Sequence, residues 1–284
     1  MNWWWIDALF MAMPVYAELG NIYDDAAYAE VMYARYADTK VARQLYDTDE
    51  GLWYRDANYI FPSTTTPSGK KIFWSRGNGW VFAAHARTLE SLPPNDKHRE
   101  EYEATFQTMA AKLKQLQHPQ GYWNASLADP DHFPGPESSG TAFFTFGLAW
   151  GINHNLLPRS EYEESVQRAW YWLVHSAVHP NGFLGYVQAI DGEPAAASYD
   201  ETADYGVGAF LLAGREVHQL LGNEEVSHEN YLPLIKKSSY ENGQEQIILT
   251  GAKNIGQDDF LDLLRYGAIL PLHSFMIAAR LGRL

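Results

Sequence analysis

The chain has 284 residues, of which 46% are hydrophobic and 20% are charged. These proportions are close to those of globular proteins, so they argue against a disordered chain, a collagen-like repeat and a coiled-coil rod. The formal net charge of −14 repels the phosphates of nucleic acids and of anionic membranes. No apolar run reaches the roughly 18 residues of a membrane-spanning helix. We therefore expect neither a nucleic acid nor a membrane as partner.

The sequence contains no cysteine, which excludes disulfides, a thiolate nucleophile and metal sites built on cysteine. The ten histidines show no HExxH or other metal-ligand spacing, and no dinucleotide fingerprint or GxSxG motif occurs. We therefore predict no metal and no cofactor. The aromatic content of 14% includes 10 Trp and 18 Tyr. Aromatic rings are ordinary core material, and they also stack on the faces of sugar rings.

The first 222 residues predict alternating outer and inner helices. Three segments have apolar residues at steps of three and four, which is typical of amphipathic surface helices: 25–46, 97–117 and 160–177. Between or after them lie three segments that are apolar on nearly all sides and are predicted as buried helices: 81–92, 141–157 and 205–221. We expect each outer helix to pack against an inner one.

A weak internal repeat supports this alternation. A turn, a glycine and an aromatic or apolar residue recur at Gly51, Gly121 and Gly182, which are 70 and then 61 residues apart. About that many residues form two helices and two loops, so each repeat predicts one helical hairpin. The expected fold is an all-α toroid of hairpins, with loops at one end forming the site. An irregular helical bundle is the alternative.

The last part of the chain has a different composition. Residues 1–222 carry 27 acidic and 15 basic residues, whereas residues 223–284 carry 8 and 6. We predict two pieces, a helical domain over 1–222 and a partly helical tail over 223–284. Within the tail, residues 258–270 form a candidate helix that ends before Pro271.

The first candidate for chemistry is Asp7, the lone carboxylate in the aromatic run WWWIDALFM at residues 3–11. Burial raises the pKa of such a carboxyl, which is how a general acid stays protonated near neutral pH. Alternatively, Asp7 caps a helix that begins at Ala8 and stays ionised. Spacing alone does not separate these two interpretations.

The second candidate is Arg76 in FWSRGNGW at residues 73–80, interpreted as a glycine-rich loop that leads into a helix near Trp80. An arginine among aromatic residues and glycines suits bidentate recognition of a carboxylate, and Trp80 offers a stacking surface. A structural turn with a salt-bridged Arg76 is the alternative. A third segment, residues 131–141, predicts helix capping by Ser139 or Thr141, with sugar contact as a secondary role.

Four motifs in one order carry a family resemblance: residues 3–11, residues 73–80, GPESSGT at 135–141 and YGVGAFLLA at 205–213. Together they resemble glycoside hydrolase family 105, the unsaturated rhamnogalacturonyl and glucuronyl hydrolases, over about residues 2–221. The resemblance implies an (α/α)6 barrel. It also implies removal of a 4,5-unsaturated uronic acid from the non-reducing end of an oligosaccharide left by a polysaccharide lyase.

By the same resemblance, Asp7 is the general acid that protonates C4 and then helps to deliver water to C5. Arg76 would hold the uronate carboxylate, and Trp80 would pack on the sugar ring. Many family members have a histidine where this chain has Arg55, which would offer a second cation to an anionic sugar. The expected partner is an unsaturated uronyl oligosaccharide.

Two further expectations come from the resemblance. Family members carry another aspartate and the first barrel helices before the WWW segment, so we expect an N-terminally truncated, incomplete toroid. The family analogy also suggests a bacterial enzyme of polysaccharide degradation, cytoplasmic or periplasmic. The alternative function is an inactive sugar-binding fragment that lacks the upstream carboxylate. A sugar epimerase would need a histidine pair as acid and base, and no histidine has such a setting.

Overall fold

A computed structural model describes residues 3–222 and, beyond them, the backbone of two short strands. The described part contains seven α-helices: α1 (Asp7–Tyr23), α2 (Ala27–Ala37), α3 (Ser75–Ser91), α4 (Arg99–Leu116), α5 (Ser138–Asn153), α6 (Arg159–Trp172) and α7 (Asp204–Leu221). A π-helical turn follows α2 and another follows α6 (Asp38–Ala42 and Leu173–Ala177), and Ala57–Tyr59 is a short 3-10 helix.

The helices form two layers. In one layer α1 packs on α3, α3 on α5, and α5 on α7. The other three helices pack behind this row, with α2 against α1, α4 against α3, and α6 against both α5 and α7. This arrangement confirms the predicted alternation of inner and outer helices.

Close packing of α3 on α5 explains why these helices are apolar on nearly all sides. All residues of α5 from Ser138 to Ile152 are buried. A Cβ atom at Gly79 would lie 2.9 Å from Phe143, and one at Gly147 would lie 2.4 Å from the ring of Phe82. Glycine at these positions lets the two helices approach each other, which fixes the relative positions of their first residues.

Two predicted boundaries are wrong. The segment at residues 73–80 is not a loop, because α3 begins at Ser75 and includes both Arg76 and Trp80. Gly77 lies inside its first turn, where a Cβ atom would lie 3.1 Å from Ile6 of the neighbouring segment, so the glycine serves helix packing instead of a turn. The helix predicted over 25–46 is α2 with its π-helical turn, and it ends at Ala42.

The strands are short. Strand β1 (Tyr46–Asp47) pairs antiparallel with β2 (Leu52–Trp53), and Gly51 in the turn has a φ of 67°, a left-handed conformation that favours glycine. Strands β3 (Leu234–Lys237) and β4 (Ile247–Thr250) also pair antiparallel. The helix predicted at residues 258–270 lies outside the described residues, and the separate tail stays a prediction. Among the described residues, no helix has the length and apolar character needed to cross a membrane.

Candidate active site

The first turns of the inner helices meet at one end of the bundle. Isolated antiparallel bridges join the segments beside them, at Trp5 with Asp56 and at Trp74 with Ser126. In addition, the backbone N–H of Ile6 donates to the carbonyl of Arg55 at 3.0 Å. Segments that are distant in sequence are therefore fixed beside the starts of α1 and α3.

Asp7 is the first residue of α1, and its side chain is 18% exposed. Its Oδ2 is buried and accepts no hydrogen bond from the described residues. Burial raises the pKa of the Asp7 carboxyl, against the opposing effects of Arg55, the residue's own backbone N–H and Arg76, while Asp56 raises it further. The helix does not begin at Ala8, and its capping position, Ile6, provides no side-chain cap. Asp7 is therefore not the cap of a helix that begins at Ala8, and its role as a general acid stays a prediction.

Arg55 lies beside Asp7 but is held by another carboxylate. Its Nη1 donates to Oδ2 of Asp56 at 2.6 Å, whereas its Nε lies 3.7 Å from Oδ2 of Asp7. Asp56 is buried, and its other oxygen accepts from the backbone N–H of Asn58. The Arg55 side chain is 24% exposed. Sequence reasoning named Arg55 but did not find Asp56, although the two are adjacent.

Arg76 is buried, and both of its terminal nitrogens have protein partners. Nη1 donates to the carbonyl of Gln188 at 2.6 Å, and Nη2 donates to that of Ala189 at 2.7 Å. The guanidinium lies between the rings of Trp74 and Tyr205, at 4.5 and 4.6 Å from their centroids. Contact with a substrate carboxylate stays a prediction. The alternative of a salt-bridged arginine in a turn does not describe the site either, because Arg76 lies in α3 and its nearest carboxylate, Glu137, is 3.9 Å away.

Glu137 organises the same region, and the sequence analysis did not identify it. It is fully buried and is the capping residue of α5, where it accepts from the backbone N–H groups of Ser139 and Gly140. Ser139 itself donates its hydroxyl to Glu137. The prediction that Ser139 or Thr141 caps α5 is therefore wrong, because both residues lie inside the helix and the Glu137 carboxylate, which has more acceptor sites than a hydroxyl, holds the capping position.

Gln188 joins three of these elements and was also missed. Its backbone N–H donates to Glu137, its side-chain oxygen accepts from the indole of Trp74, and its carbonyl accepts from Arg76 and from the hydroxyl of Tyr205. Its position lies in a segment without periodicity, 112 residues from Arg76. The sequence offers no signal for it.

Trp80 belongs to an aromatic cluster one turn above the start of α3. Its ring centroid lies 4.6 Å from Phe10 and 4.4 Å from Phe143, with Tyr205 at 6.4 Å. Trp80 is 7% exposed, so most of its surface contacts protein. Stacking of a sugar on Trp80 stays a prediction.

The structure thus brings Asp7 and Arg55 into contact, and Arg76 is near enough to influence the same carboxyl. In the described part of the chain, no group of three or more histidine, aspartate or glutamate side chains is arranged to hold a metal ion.

Comparison with known proteins gives the family. Residues 1–221 match the family model described as Glycosyl Hydrolase Family 88. The chain belongs to this family. A relative from Formosa agariphila, named Unsaturated 3S-rhamnoglycuronyl hydrolase, is 43% identical over 222 residues, which are 77% of this chain and 58% of the relative. The matched region therefore spans little more than half of that protein.

Two solved structures agree with the fold. A glycosyl hydrolase family 88 protein from Bacteroides vulgatus is 44% identical, with a TM-score of 0.74 over 77% of this chain and 63% of that one. An unsaturated glucuronyl hydrolase from Bacillus sp. GL1 is 16% identical with a TM-score of 0.55, over 77% of this chain and 59% of that one. At that identity the likeness concerns the fold alone, the toroid of helical hairpins.

Proposed function

We propose that this chain carries the site of a hydrolase, of the family 105 type, that removes a 4,5-unsaturated uronic acid from the non-reducing end of an oligosaccharide. The observation that carries the proposal is Asp7, a buried carboxyl whose pKa is raised by burial and which lies beside Arg55. Such a group keeps its proton at higher pH than an exposed aspartate does. The name of the Formosa agariphila relative makes an unsaturated rhamnoglycuronyl oligosaccharide the first substrate to test.

The proposed reaction is the hydration of an enol ether. Asp7 gives its proton to C4, the double bond between C4 and C5 is lost, and the positive charge at C5 is shared with the ring oxygen. A water oxygen then bonds to C5 and returns a proton to the Asp7 carboxylate. The resulting hemiketal opens by breaking the bond between C5 and the ring oxygen, and the remaining sugar leaves from C1. No carboxylate attacks carbon, so this reaction differs from the two-carboxylate mechanisms of ordinary glycosidases.

In this proposal Arg55 and Arg76 bind or orient an anionic substrate. Arg55 is partly exposed beside Asp7 and can face the uronate or a substituent on the sugar. Arg76 would reach a carboxylate only alongside its bonds to Gln188 and Ala189. Trp80 would present the small exposed part of its ring to the sugar.

The test measures the ultraviolet absorbance of the conjugated double bond in an unsaturated rhamnoglycuronyl disaccharide. It uses the 284-residue chain and a chimera in which residues 1–221 replace the matched region of the Formosa agariphila relative. We expect the chimera to bleach the absorbance, and the same chimera with Asp7→Asn to be folded and inactive.

The alternative, a sugar-binding fragment without activity, has its own outcome in this experiment. It predicts saturable binding of the disaccharide by calorimetry with no bleaching, in the chain and in the chimera alike. A chimera that melts cooperatively yet never bleaches the absorbance would overturn the proposed hydrolase.

A further inference from the structure

Arg55 is held in place by groups on several sides, and none of them is a substrate. Asp56 accepts from its Nη1 at 2.6 Å, and the ring of Trp4 lies 5.8 Å from its guanidinium carbon. Gly192 covers the guanidinium so closely that a Cβ atom there would lie 3.3 Å from the same carbon. A side chain held in this way has lost much of the freedom to follow a ligand.

The backbone also links Arg55 to Asp7. The N–H of Ile6, which directly precedes Asp7, donates to the Arg55 carbonyl, and Trp5 forms a bridge with Asp56. The residues on either side of the contact are thereby fixed. The distance of 3.7 Å between Arg55 Nε and Asp7 Oδ2 is therefore set by the fold instead of by two flexible side chains.

Both atoms of this contact are buried, and within the described residues neither has a hydrogen-bond partner. At 3.7 Å they are too far apart for a good hydrogen bond, yet near enough for a strong charge interaction at low dielectric. A buried unpartnered donor beside a buried unpartnered acceptor is costly to retain, so it calls for an explanation in terms of function.

We propose that Arg55, anchored by Asp56, is a positioning residue that acts through Asp7: it leaves the protonated carboxyl unbonded and stabilises the carboxylate that forms when the proton is given away. This inference deepens the proposed hydrolase and rests on it for its role in turnover. A hydrogen bond from Nε in the resting state would favour the carboxylate and weaken the acid. Asp56 prevents this by holding the guanidinium through Nη1.

Besides Arg55, two charged groups influence the proton affinity of Asp7. Arg76 approaches from α3 and favours the carboxylate, and Asp56 disfavours it. Arg87, also on α3, lies over the ring of Phe10, one turn along α1 from Asp7. Changes at Arg55 and at Asp56 should therefore alter the proton affinity of Asp7 in opposite directions, which a purely structural role would not do.

The experiment measures the melting temperature of the 284-residue chain between pH 4 and pH 8, with and without Asp7→Asn, in three backgrounds: unchanged, Arg55→Met and Asp56→Asn. A carboxyl whose pKa is raised on folding loses stability as the pH rises, so Asp7→Asn should raise the melting temperature at neutral pH. We expect this gain to be larger with Arg55→Met, which removes the cation. The gain from Asp7→Asn should be smaller with Asp56→Asn, which removes the carboxylate that holds Arg55. The side-chain oxygen of the new asparagine can still accept from the backbone N–H of Asn58.

Controls keep the result interpretable. Arg159→Met removes an arginine that pairs with Glu163 on α6, and it should leave the effect of Asp7→Asn unchanged. If Arg55→Met does not fold, Arg55→Lys keeps the charge without the planar fork and should give a smaller change in the same direction. An equal effect of Asp7→Asn in all backgrounds would overturn the proposal.

A measurement of kcat/KM against pH distinguishes a failure of this inference from a failure of the proposed function. In the chimera, the basic limb of the kcat/KM profile should move to higher pH with Arg55→Met and to lower pH with Asp56→Asn. If the melting temperatures change as expected in the three backgrounds and no variant turns over the disaccharide, the proposed function fails, but the effect of Arg55 and Asp56 on Asp7 is confirmed. If the chimera turns over the disaccharide and the basic limb of its kcat/KM profile does not move in either variant, the inferred role of Arg55 fails and the proposed function stands.

Discussion

The starts of α3 and α1 lie at the same end of the bundle, but they differ in how many hydrogen bonds their buried charged groups form. Around α3, Arg76 donates to two backbone carbonyls, and Glu137 accepts from several donors. Around α1, Asp7 and Arg55 face each other across 3.7 Å with buried atoms that form no hydrogen bond in the described structure. A satisfied network stabilises one geometry, whereas unsatisfied groups are ready to change protonation or partner. The difference separates the residues that hold the site from those that would perform its chemistry.

The largest expected effect concerns Asp7. Asp7→Asn should lower kcat in the chimera by about 10²- to 10⁴-fold, because it removes the proton that C4 needs and keeps the shape of the side chain. Binding of the disaccharide should change little, and the melting temperature at neutral pH should not fall, since a carboxyl whose pKa is raised by burial is replaced by a neutral amide. The measurements are bleaching rates and calorimetry.

Asp24→Asn is a suitable control for this substitution, since Asp24 is exposed at the end of α1 and asparagine tolerates its left-handed backbone. It should leave turnover unchanged. Equal losses in both variants would show that the assay reports damage to α1 and not the loss of an acid.

The next effect concerns Arg76, which belongs to the satisfied region. Arg76→Ala leaves two buried carbonyls without their charged donor, so we expect a loss of about 3 kcal/mol in the free energy of unfolding. For a chain of this size that is roughly 6–12 °C in melting temperature. We also expect kcat/KM in the chimera to fall by about 10- to 100-fold, with partial rescue by Arg76→Lys.

The two consequences of Arg76→Ala separate its possible roles. A lower melting temperature with normal kcat/KM would make Arg76 part of the scaffold only. An unchanged melting temperature with reduced kcat/KM would mean that its main partner is the substrate, and the contrast between the two helix starts would then be wrong.

Glu137→Gln should have a smaller effect on stability. The amide retains one acceptor and places two donors among the N–H and hydroxyl groups that now donate to the carboxylate. We expect a loss of about 1.5–3 kcal/mol, visible as a lower denaturant midpoint. Glu164→Gln on the exposed face of α6 is the control and should stay within about 0.5 kcal/mol. Equal midpoints for the two variants would contradict the assigned role of Glu137.

The sequence predicts the layers of this fold well, because periodicity is a local property. The all-round apolar segment at 141–157 overlaps most of α5, which begins three residues earlier and ends four residues earlier, since a helix with that composition must be buried. The boundary at Ser75 was missed because Gly77 and Gly79 are typical of loops. Their reason is contact with Ile6 and Phe143, which no local pattern reveals.

The site is predictable only in part, for the same reason. Asp7 stands out because it is a single carboxylate in an aromatic run, although spacing alone does not separate a desolvated acid from a helix cap. Arg76 also stands out, but its partners Gln188 and Ala189 are more than 110 residues away, and no local sequence pattern marks them. Glu137 lies in the GPESSGT motif at residues 135–141, but the sequence favours the serines and the threonine beside it, because short hydroxyl side chains are the more frequent helix caps.

The smallest expected effect tests how firmly Arg55 is held beside Asp7. A methyl group at Gly192 would lie 3.3 Å from the guanidinium carbon, which is tighter than ordinary van der Waals contact, so Arg55 must shift by a few tenths of an ångström. The backbone at Gly192 is not left-handed, so the substitution brings no further strain there. Gly192→Ala should therefore cost about 1 kcal/mol or less and change the pH profile of kcat/KM more than its maximum. Gly69→Ala, in an open turn with a φ of 81°, provides a control that costs stability without touching Arg55. The control should leave the pH profile of kcat/KM in place, and if Gly192→Ala does the same, then the exact position of Arg55 does not matter to Asp7.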